Sequence, residues 1–251
     1  MNVSTHLANF LYSPENKTWD EDSFEYACLK NIKRTKSQNF QDVFALWATG
    51  GKPFNNYYVE FGATNGVDGS NTYLLDKSYA WRGLLVEPIP SYFEELKVNR
   101  HPAVCVPAVV SNTTGDMVDF VITNEKDLST VASAKNIRDE HWEKRQIVDQ
   151  VIQVRTITLF DLLRQYNAPY KINYISVDTE GTEYDIMKKF FDENDAYSVG
   201  CYTIEHNWNQ DKATKLLDLF TANGYQLVYP SVSRWDFFFL RNDHHERLFK
   251  K

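Results

Sequence analysis

A glycine-containing turn after a hydrophobic run is the segment whose residue types best suit the binding of a ligand. The run 57–61 leads into Gly62 and Gly66 and then into a segment with helical character. Glycine adopts backbone conformations closed to other residues, so such a turn lets a ligand approach the end of a strand, where α/β sheets bind ligands. The pattern indicates a cofactor-binding loop.

The spacing of this turn favours one cofactor over another. Dinucleotide sites use G-x-G-x-x-G, which seats a pyrophosphate on a helix N-terminus, whereas the pattern here is Glu60-x-Gly62-x-x-x-Gly66. A carboxylate two residues before the first glycine would repel a pyrophosphate, but it suits the ammonium and sulfonium of S-adenosylmethionine. An NAD-dependent oxidoreductase would share the fold, and the missing G-x-G argues against it.

A second carboxylate ends the next hydrophobic run. Glu87 follows the glycine turn by roughly 25 residues, a position from which a carboxylate accepts hydrogen bonds from both hydroxyls of a ribose. The third run ends at Ser111, where an adenine ring would rest. A contact to the ring and the capping of a turn both account for this serine.

Acidic and imidazole side chains end the fourth and fifth runs, at Asp178 and at Glu205-His206. Methyl transfer from a sulfonium is an in-line displacement that requires an aligned acceptor oxygen, relieved of its proton. Asp178, Glu205 and His206 could hold a divalent metal, Mg²⁺ with oxygen ligands alone or Mn²⁺ if the histidine takes part. Alternatively, His206 is the general base, or it only satisfies hydrogen bonds while proximity drives the reaction.

The elements that position these residues follow from alternating strand-like and helical patterns, which are typical of a parallel sheet covered by helices. Residues 230–234 are too few for a crossover, so the last two strands must pair antiparallel. We predict an α/β, Rossmann-like class I methyltransferase fold with a seven-stranded, mostly parallel sheet and an antiparallel C-terminal hairpin. The predicted strands are 57–61, 83–87, 104–110, 172–178, 201–205, 225–229 and 235–241.

The length of the chain and one interruption in the alternation of strand-like and helical segments predict the domain organisation. A chain of 251 residues with 43% hydrophobic content suits one domain, predicted over 37–251 after a polar, irregular lead-in over 1–36. Apolar spacing predicts a helix over 38–47. Residues 123–151 are predicted to form a substrate loop or lid, or else a surface excursion.

Composition restricts the partners. A net charge of −7 disfavours nucleic acid, because lysine and arginine supply most of the affinity for phosphates. The three cysteines form no C-x-x-C pair, and the chain shows neither a signal pattern nor an apolar run of about 18 residues. We expect a cytoplasmic protein that binds neither nucleic acid nor a membrane; the oligomeric state stays open.

Five segments resemble the FkbM-type methyltransferase family, in the order that the family has them. The resemblance extends over roughly 37–242, and its most specific segment is Asp178-Thr-Glu180-Gly-Thr-Glu183. The resemblance implies an S-adenosylmethionine-dependent O-methyltransferase acting on a hydroxyl, most readily of a sugar or glycan. A catalytically inactive S-adenosylmethionine-binding module is the alternative. The segments are 37–42, 60–75, 81–88, 176–183 and 204–207.

The same resemblance implies roles for individual residues. Those assigned to the cofactor fall in the glycine turn and the residues after it, at the ends of the second, third and fourth strands, and in the helix predicted over 38–47. Asp178 would lie near the transferred methyl, and Glu180 would either contact the active site or complement the dipole of the following helix. The cofactor-binding set is Glu60, Gly62, Asn65, Gly66, Ser70, Asn71, Glu87, Ser111, Asp178, Gln38 and Asp42.

Overall fold

The computed structural model describes residues 20–52, 54–139 and 141–249. The strands, in chain order, are β1 (Tyr57–Phe61), β2 (Arg82–Val86), β3 (Val104–Val106), β4 (Val109–Ser111), β5 (Met117–Thr123), β6 (Thr130–Val131), β7 (Val148–Thr158), β8 (Lys171–Val177), β9 (Ser198–Glu205), β10 (Tyr225–Val228) and β11 (Asp236–Arg241). The helices are α1 (Phe24–Asn31), α2 (Gln41–Ala48), α3 (Tyr73–Tyr79), α4 (Pro90–Asn99), α5 (Trp142–Arg145), α6 (Leu159–Gln165), α7 (Glu183–Glu193), α8 (Gln210–Ala222), α9 (Pro230–Ser233) and α10 (Asn242–Phe249).

The central sheet has seven strands in the order β10-β11-β9-β8-β1-β2-β3. The five strands from β9 to β3 pair parallel, whereas β11 pairs antiparallel with both β9 and β10. This arrangement confirms the predicted sheet and its C-terminal hairpin. The chain moves from β1 towards β2 in one direction and from β8 towards β9 in the other, so the order reverses between β1 and β8, which is where such sheets bind ligands.

Helices cover both faces of this sheet, and the alternation of side chains along each strand divides the core in two. Val59 of β1 belongs to the cluster that also contains Leu162 of α6 and Leu216 of α8. Its neighbour Tyr58 belongs to the opposite cluster, together with Phe44 of α2. Burial on both faces explains why β1 and β8 are nearly continuous hydrophobic runs.

A second sheet, in the order β4-β7-β5-β6, was not predicted. The predicted strand 104–110 is two strands, because β3 pairs with β2 while β4 pairs with β7. The region 123–151 is correspondingly less irregular than expected, since it contains β6, α5 and the start of β7. Most residues in the first half of β7 are exposed, so no apolar alternation marked that strand in the sequence.

The lead-in is also more regular than predicted. Residues 1–19 lie outside the described part of the chain, but 24–31 form α1, which begins at the cap residue Ser23. Phe24 and Cys28 of this helix are buried against α2, and tertiary packing of this kind can stabilise a helix too short to form alone. The helix predicted over 38–47 is α2, beginning at Gln41.

Cap residues mark the start of α6 and the end of α8. The Thr158 hydroxyl accepts a hydrogen bond from the Asp161 amide, 3.1 Å away, at the start of α6. Helix α8 ends at Ala222 with Asn223 as its C-cap. Within the described residues, the helices are all too short or too polar to cross a lipid bilayer.

Candidate active site

A cavity of about 580 Å³ lies at the carboxyl ends of β1, β2, β8 and β9, beside the point where the strand order reverses. Cavities of this size hold small-molecule ligands. The predicted site residues that line it are Gln38, Glu60, Gly62, Ser70, Asn71, Glu87, Asp178 and Glu205. The cavity therefore brings together residues from four strand ends and from the chain before α2.

Glu60 organises the loop that follows the glycine turn. The carboxylate is 2% exposed and accepts hydrogen bonds from the Asn71 amide at 2.7 Å and from the hydroxyls of Ser70 and Thr72. Arg100, fully buried, donates to the hydroxyls of Ser70 and Thr72 as well. Glu60 lines the cavity, but most of its hydrogen-bonding capacity is used in holding the 70–72 loop in place.

The two glycines of the turn have different neighbours. Gly62 has φ +66°, and a Cβ there would lie 2.2 Å from the backbone oxygen of Asp178. A Cβ at Gly66, where φ is +78°, would lie 2.5 Å from Leu96 and 2.6 Å from Arg100. Gly62 therefore lets β1 and β8 approach at the cavity, whereas Gly66 allows the turn to pack on α4.

Three other predicted cofactor residues shape the surroundings without lining the cavity. Asn65 accepts the amides of Val67 and Asp68 at 3.0 Å, as an Asx turn does. Asp42 accepts from the hydroxyls of Thr35 and Ser37. Burial raises the pKa of Asp42 to about 6, although these hydrogen bonds lower it. Ser111, at the end of β4, likewise lies outside the cavity lining.

Asn71 has the properties of a ligand-binding residue. Its side-chain amide donates to the Ser176 hydroxyl at 2.9 Å, but its carbonyl oxygen is buried without a hydrogen-bond partner. A buried, unpaired acceptor is costly unless a ligand donates to it. Because Asn71 lines the cavity, this oxygen fits the ammonium of a methionine moiety.

Glu87 is held in an orientation that suits a ribose. One carboxylate oxygen accepts the Thr64 amide at 2.8 Å and the other accepts the Ile89 amide at 2.7 Å. Each oxygen keeps one further lone pair for a hydroxyl donor. Burial raises the pKa of Glu87 to about 7, although both backbone hydrogen bonds lower it.

The pKa of Glu87 predicts a pH dependence of cofactor binding. Ribose hydroxyls donate best to the ionised carboxylate, so affinity for S-adenosylhomocysteine should rise roughly tenfold from about pH 6 to pH 8. Calorimetric titration at a series of pH values measures this directly. Glu87→Gln should bind weakly at pH 8 and lose the slope; a mutant that keeps the wild-type slope would place the titrating group elsewhere.

The apolar side of the cavity comes largely from the second sheet, which sequence reasoning missed. Val109 of β4 and Phe120 of β5 line the cavity, and both belong to a small core cluster with Ile89. Leu128 and Val131, from the region predicted to be a loop, complete this wall. An adenine ring fits such a surface, and only the pairing of β4, β5 and β7 brings these residues to it.

Three carboxylates from the chain after β8 and from the end of β9 meet in the lining of the same cavity. Asp178, Glu180 and Glu205 each offer an oxygen, and these oxygens lie within 4.8 Å of one another. The Asn207 side-chain amide donates to Glu205 at 2.7 Å and to Glu180 at 3.2 Å. Arg145, fully buried on α5, donates to Glu180 at 2.8 Å. We call Asp178, Glu180 and Glu205 the acidic cluster.

Negative charge exceeds positive charge around the acidic cluster. Burial first, and then the charges of Asp236 and Glu183, raise the pKa of Asp178 to about 7. Burial and neighbouring carboxylates also raise the pKa values of Glu180 and Glu205 well above the ordinary range. Carboxylates in this state either share protons or take up a cation.

Glu183, the last residue of the 178–183 segment, holds the turn between β8 and α7 in place. Glu183 accepts the amides of Thr179 and Gly181 and pairs with Lys212 at 2.9 Å. Burial raises the pKa of Glu183, but Lys212 outweighs this effect and the pKa is lowered. Asp178 and Glu180 of this segment therefore belong to the acidic cluster, whereas Glu183 has a structural role.

His206 is close to the acidic cluster in sequence but lies apart from it in the structure. Its ring packs 4.4 Å from that of Phe237, is 5% exposed, and does not line the cavity. Burial, followed by the charge of Lys212, lowers the pKa of His206 to about 4. Glu205 is the last residue of β9 and lines the cavity, whereas His206 follows the strand and packs on Phe237. The predicted metal ligands were Asp178, Glu205 and His206, whereas the side chains that meet in the structure are Asp178, Glu205 and Glu180.

A cofactor cavity at the switch point of this sheet, with a glycine turn after β1 and a carboxylate after β2, defines a Rossmann-like class I methyltransferase. The chain matches the methyltransferase FkbM domain over residues 60–227, more than half of its length, and it belongs to that family. It is therefore an S-adenosylmethionine-dependent methyltransferase. A search of curated proteins gave no match.

Several solved structures have a similar outline at low sequence identity. A methyltransferase from Pyrococcus furiosus shares 11% identity over 82% of this chain and 83% of its own, with a TM-score of 0.40. The Podospora anserina methyltransferase PaMTH1, bound to S-adenosylhomocysteine, shares 12% over 96% of both chains, with a TM-score of 0.43. The human methyltransferase 10 domain containing protein shares 10% over 88% of this chain and 98% of its own, at 0.42.

Proposed function

We propose that this protein transfers the methyl group of S-adenosylmethionine to a hydroxyl of a sugar or glycan, assisted by a divalent cation at the acidic cluster. The observation that carries the proposal is the meeting of Asp178, Glu180 and Glu205 within 4.8 Å beside the cofactor cavity. A hydroxyl is a weak nucleophile that must lose its proton as the methyl is transferred.

The donor set of the cluster fits Mg²⁺ or Mn²⁺. Carboxylate oxygens are the ligands that both ions favour, and a cation would offset the excess of negative charge. A bound cation would polarise the acceptor hydroxyl and lower its pKa. Asn207 donates to Glu180 and Glu205, and Arg145 donates to Glu180, so these two carboxylates are held in place. Asp178 directly follows β8, and its backbone oxygen faces Gly62 at the end of β1.

A carboxylate base without a metal is the second mechanism that the geometry supports. The raised pKa of Asp178, about 7, suits a general base at neutral pH. His206 is less suited to this role, because its ring packs on Phe237 outside the cavity lining. The two mechanisms differ in whether removal of divalent cations stops the reaction.

Chelation provides the test. We expect a chelator to abolish methyl transfer to a panel of methyl glycosides, and Mg²⁺ or Mn²⁺ to restore it, because the acidic cluster would lose the charge that activates the hydroxyl. Radiolabelled methyl transfer measures the rate. Calorimetry with S-adenosylhomocysteine should show the same affinity with and without chelator, as a control for cofactor binding. Activity that is indifferent to the chelator would leave the carboxylate base as the mechanism.

A further inference from the structure

Arg145, on the short helix α5, is a fully buried arginine that reaches from the 123–151 region to the acidic cluster. Its guanidinium donates to Glu180 at 2.8 Å and to the Ile137 carbonyl at 3.1 Å, and it also pairs with Asp139. A buried guanidinium is costly unless acceptors compensate it. Of the acceptors that do so here, Glu180 is a member of the acidic cluster.

Two donors bind the same oxygen of Glu180. Arg145 and the Asn207 side-chain amide both donate to Oε2, at 2.8 Å and 3.2 Å. The Asn207 amide also donates to Glu205 at 2.7 Å, so it links two of the three clustered carboxylates. Carboxylates that bind metals are themselves oriented by hydrogen bonds of this kind.

The turn that carries Glu180 requires support from outside. Glu180 has a φ of +58°, which costs free energy for a residue other than glycine. A Cβ at the next residue, Gly181, would lie 2.9 Å from the Ile137 side chain, so the chain before α5 packs directly on this turn. Arg145 adds the contact to the Glu180 side chain itself.

The charge of Arg145 would by itself repel a cation at the acidic cluster. However, Arg145 pairs with Asp139, whose side chain is only 1% exposed, so much of this charge is already balanced. Arg145→Lys would keep the charge and change only the geometry of the donors, because lysine lacks the planar fork of arginine. The effect of orientation can therefore be measured apart from the effect of charge.

We propose that Arg145 is the positioning residue that fixes Glu180 as the third carboxylate ligand of the cation at the acidic cluster. This inference rests on the proposed function and extends the site to a residue from the second half of the 123–151 region. Arg145 lies outside the cavity lining and acts through Glu180.

Titration with Mn²⁺, followed by electron paramagnetic resonance of the free ion, tests this role in the full chain saturated with S-adenosylhomocysteine. Arg145→Lys should raise the Kd for Mn²⁺ about 10- to 100-fold, because Glu180 loses its fixed orientation. The rate of methyl transfer to a methyl glycoside at subsaturating Mn²⁺ should fall in parallel. Calorimetry should show an S-adenosylhomocysteine affinity within about twofold of the wild type.

Arg100→Lys is the matched control, because Arg100 is equally buried but donates to Ser70 and Thr72 in the loop after the glycine turn. It should leave the Kd for Mn²⁺ unchanged. Glu180→Gln should itself weaken Mn²⁺ binding, and adding Arg145→Lys to it should weaken binding no further, because Arg145 acts through the Glu180 carboxylate.

The outcomes separate this inference from the proposed function. If the wild-type protein binds Mn²⁺ and methylates a glycoside while Arg145→Lys keeps the wild-type Kd, the positioning role is wrong and the proposed function stands. Equal losses from Arg145→Lys with and without Glu180→Gln would show general structural damage and overturn the role too. A wild-type protein that binds no Mn²⁺ would remove the cation from the proposed function, and the positioning role would fail with it.

Discussion

Replacing Asp178 with asparagine should lower the rate of methyl transfer by about 10²- to 10⁴-fold while the protein still binds S-adenosylhomocysteine. Asp178 directly follows β8, lines the cavity and belongs to the acidic cluster, which takes part in both mechanisms proposed above. Asparagine keeps the shape of the side chain but removes the negative charge that would hold a cation or accept a proton. The effect should therefore fall on kcat, measured by radiolabelled methyl transfer.

Stability should separate this loss from unfolding. Asp178 is one of several buried carboxylates, and the charges of Asp236 and Glu183 disfavour its ionised form. Removing one like charge should leave the midpoint of thermal unfolding unchanged or higher. Asp192→Asn is the control, because Asp192 is exposed on α7 and pairs with Lys188 at the surface. An active Asp178→Asn protein would remove this residue from the reaction.

Substituting alanine for Gly62 should have the largest effect on stability of the changes considered. Its Cβ would lie 2.2 Å from the backbone oxygen of Asp178, and that oxygen cannot move unless the end of β8 moves with it. We expect the free energy of unfolding to fall by more than about 3 kcal/mol, together with loss of S-adenosylhomocysteine binding. Urea denaturation and calorimetry measure the two effects.

Gly51→Ala is a closely matched control for this substitution. Gly51 has the same φ of +66°, but a Cβ there would meet no atom within 4 Å. Its replacement should cost only the backbone strain, roughly 1–2 kcal/mol, and should spare cofactor binding. Equal losses at the two positions would contradict the close approach of β1 and β8 as the reason for Gly62.

Many of the candidate cofactor-binding residues could be predicted from the sequence, because their positions depend on local sequence patterns. The hydrophobic runs of β1, β2 and β8 are buried on both faces, so their residue types marked them clearly. Parallel strands bring their carboxyl ends to one edge, and the residues at or just after those ends therefore meet at one cavity: Glu60 to Gly62, Glu87 and Asp178. Local pattern and sheet geometry were sufficient for these positions.

The tertiary structure decided the rest, because long-range pairing and side-chain direction leave little trace in local sequence. The wall formed by Phe120 and Val131 depends on the second sheet, whose strand β7 has a mostly exposed first half in which apolar and polar residues do not alternate. The neighbours Glu205 and His206 look equivalent in sequence, but one lines the cavity and the other packs on Phe237. Glu180 joins the acidic cluster where Arg145, 35 positions earlier in the chain, and Asn207, 27 positions later, both donate to it.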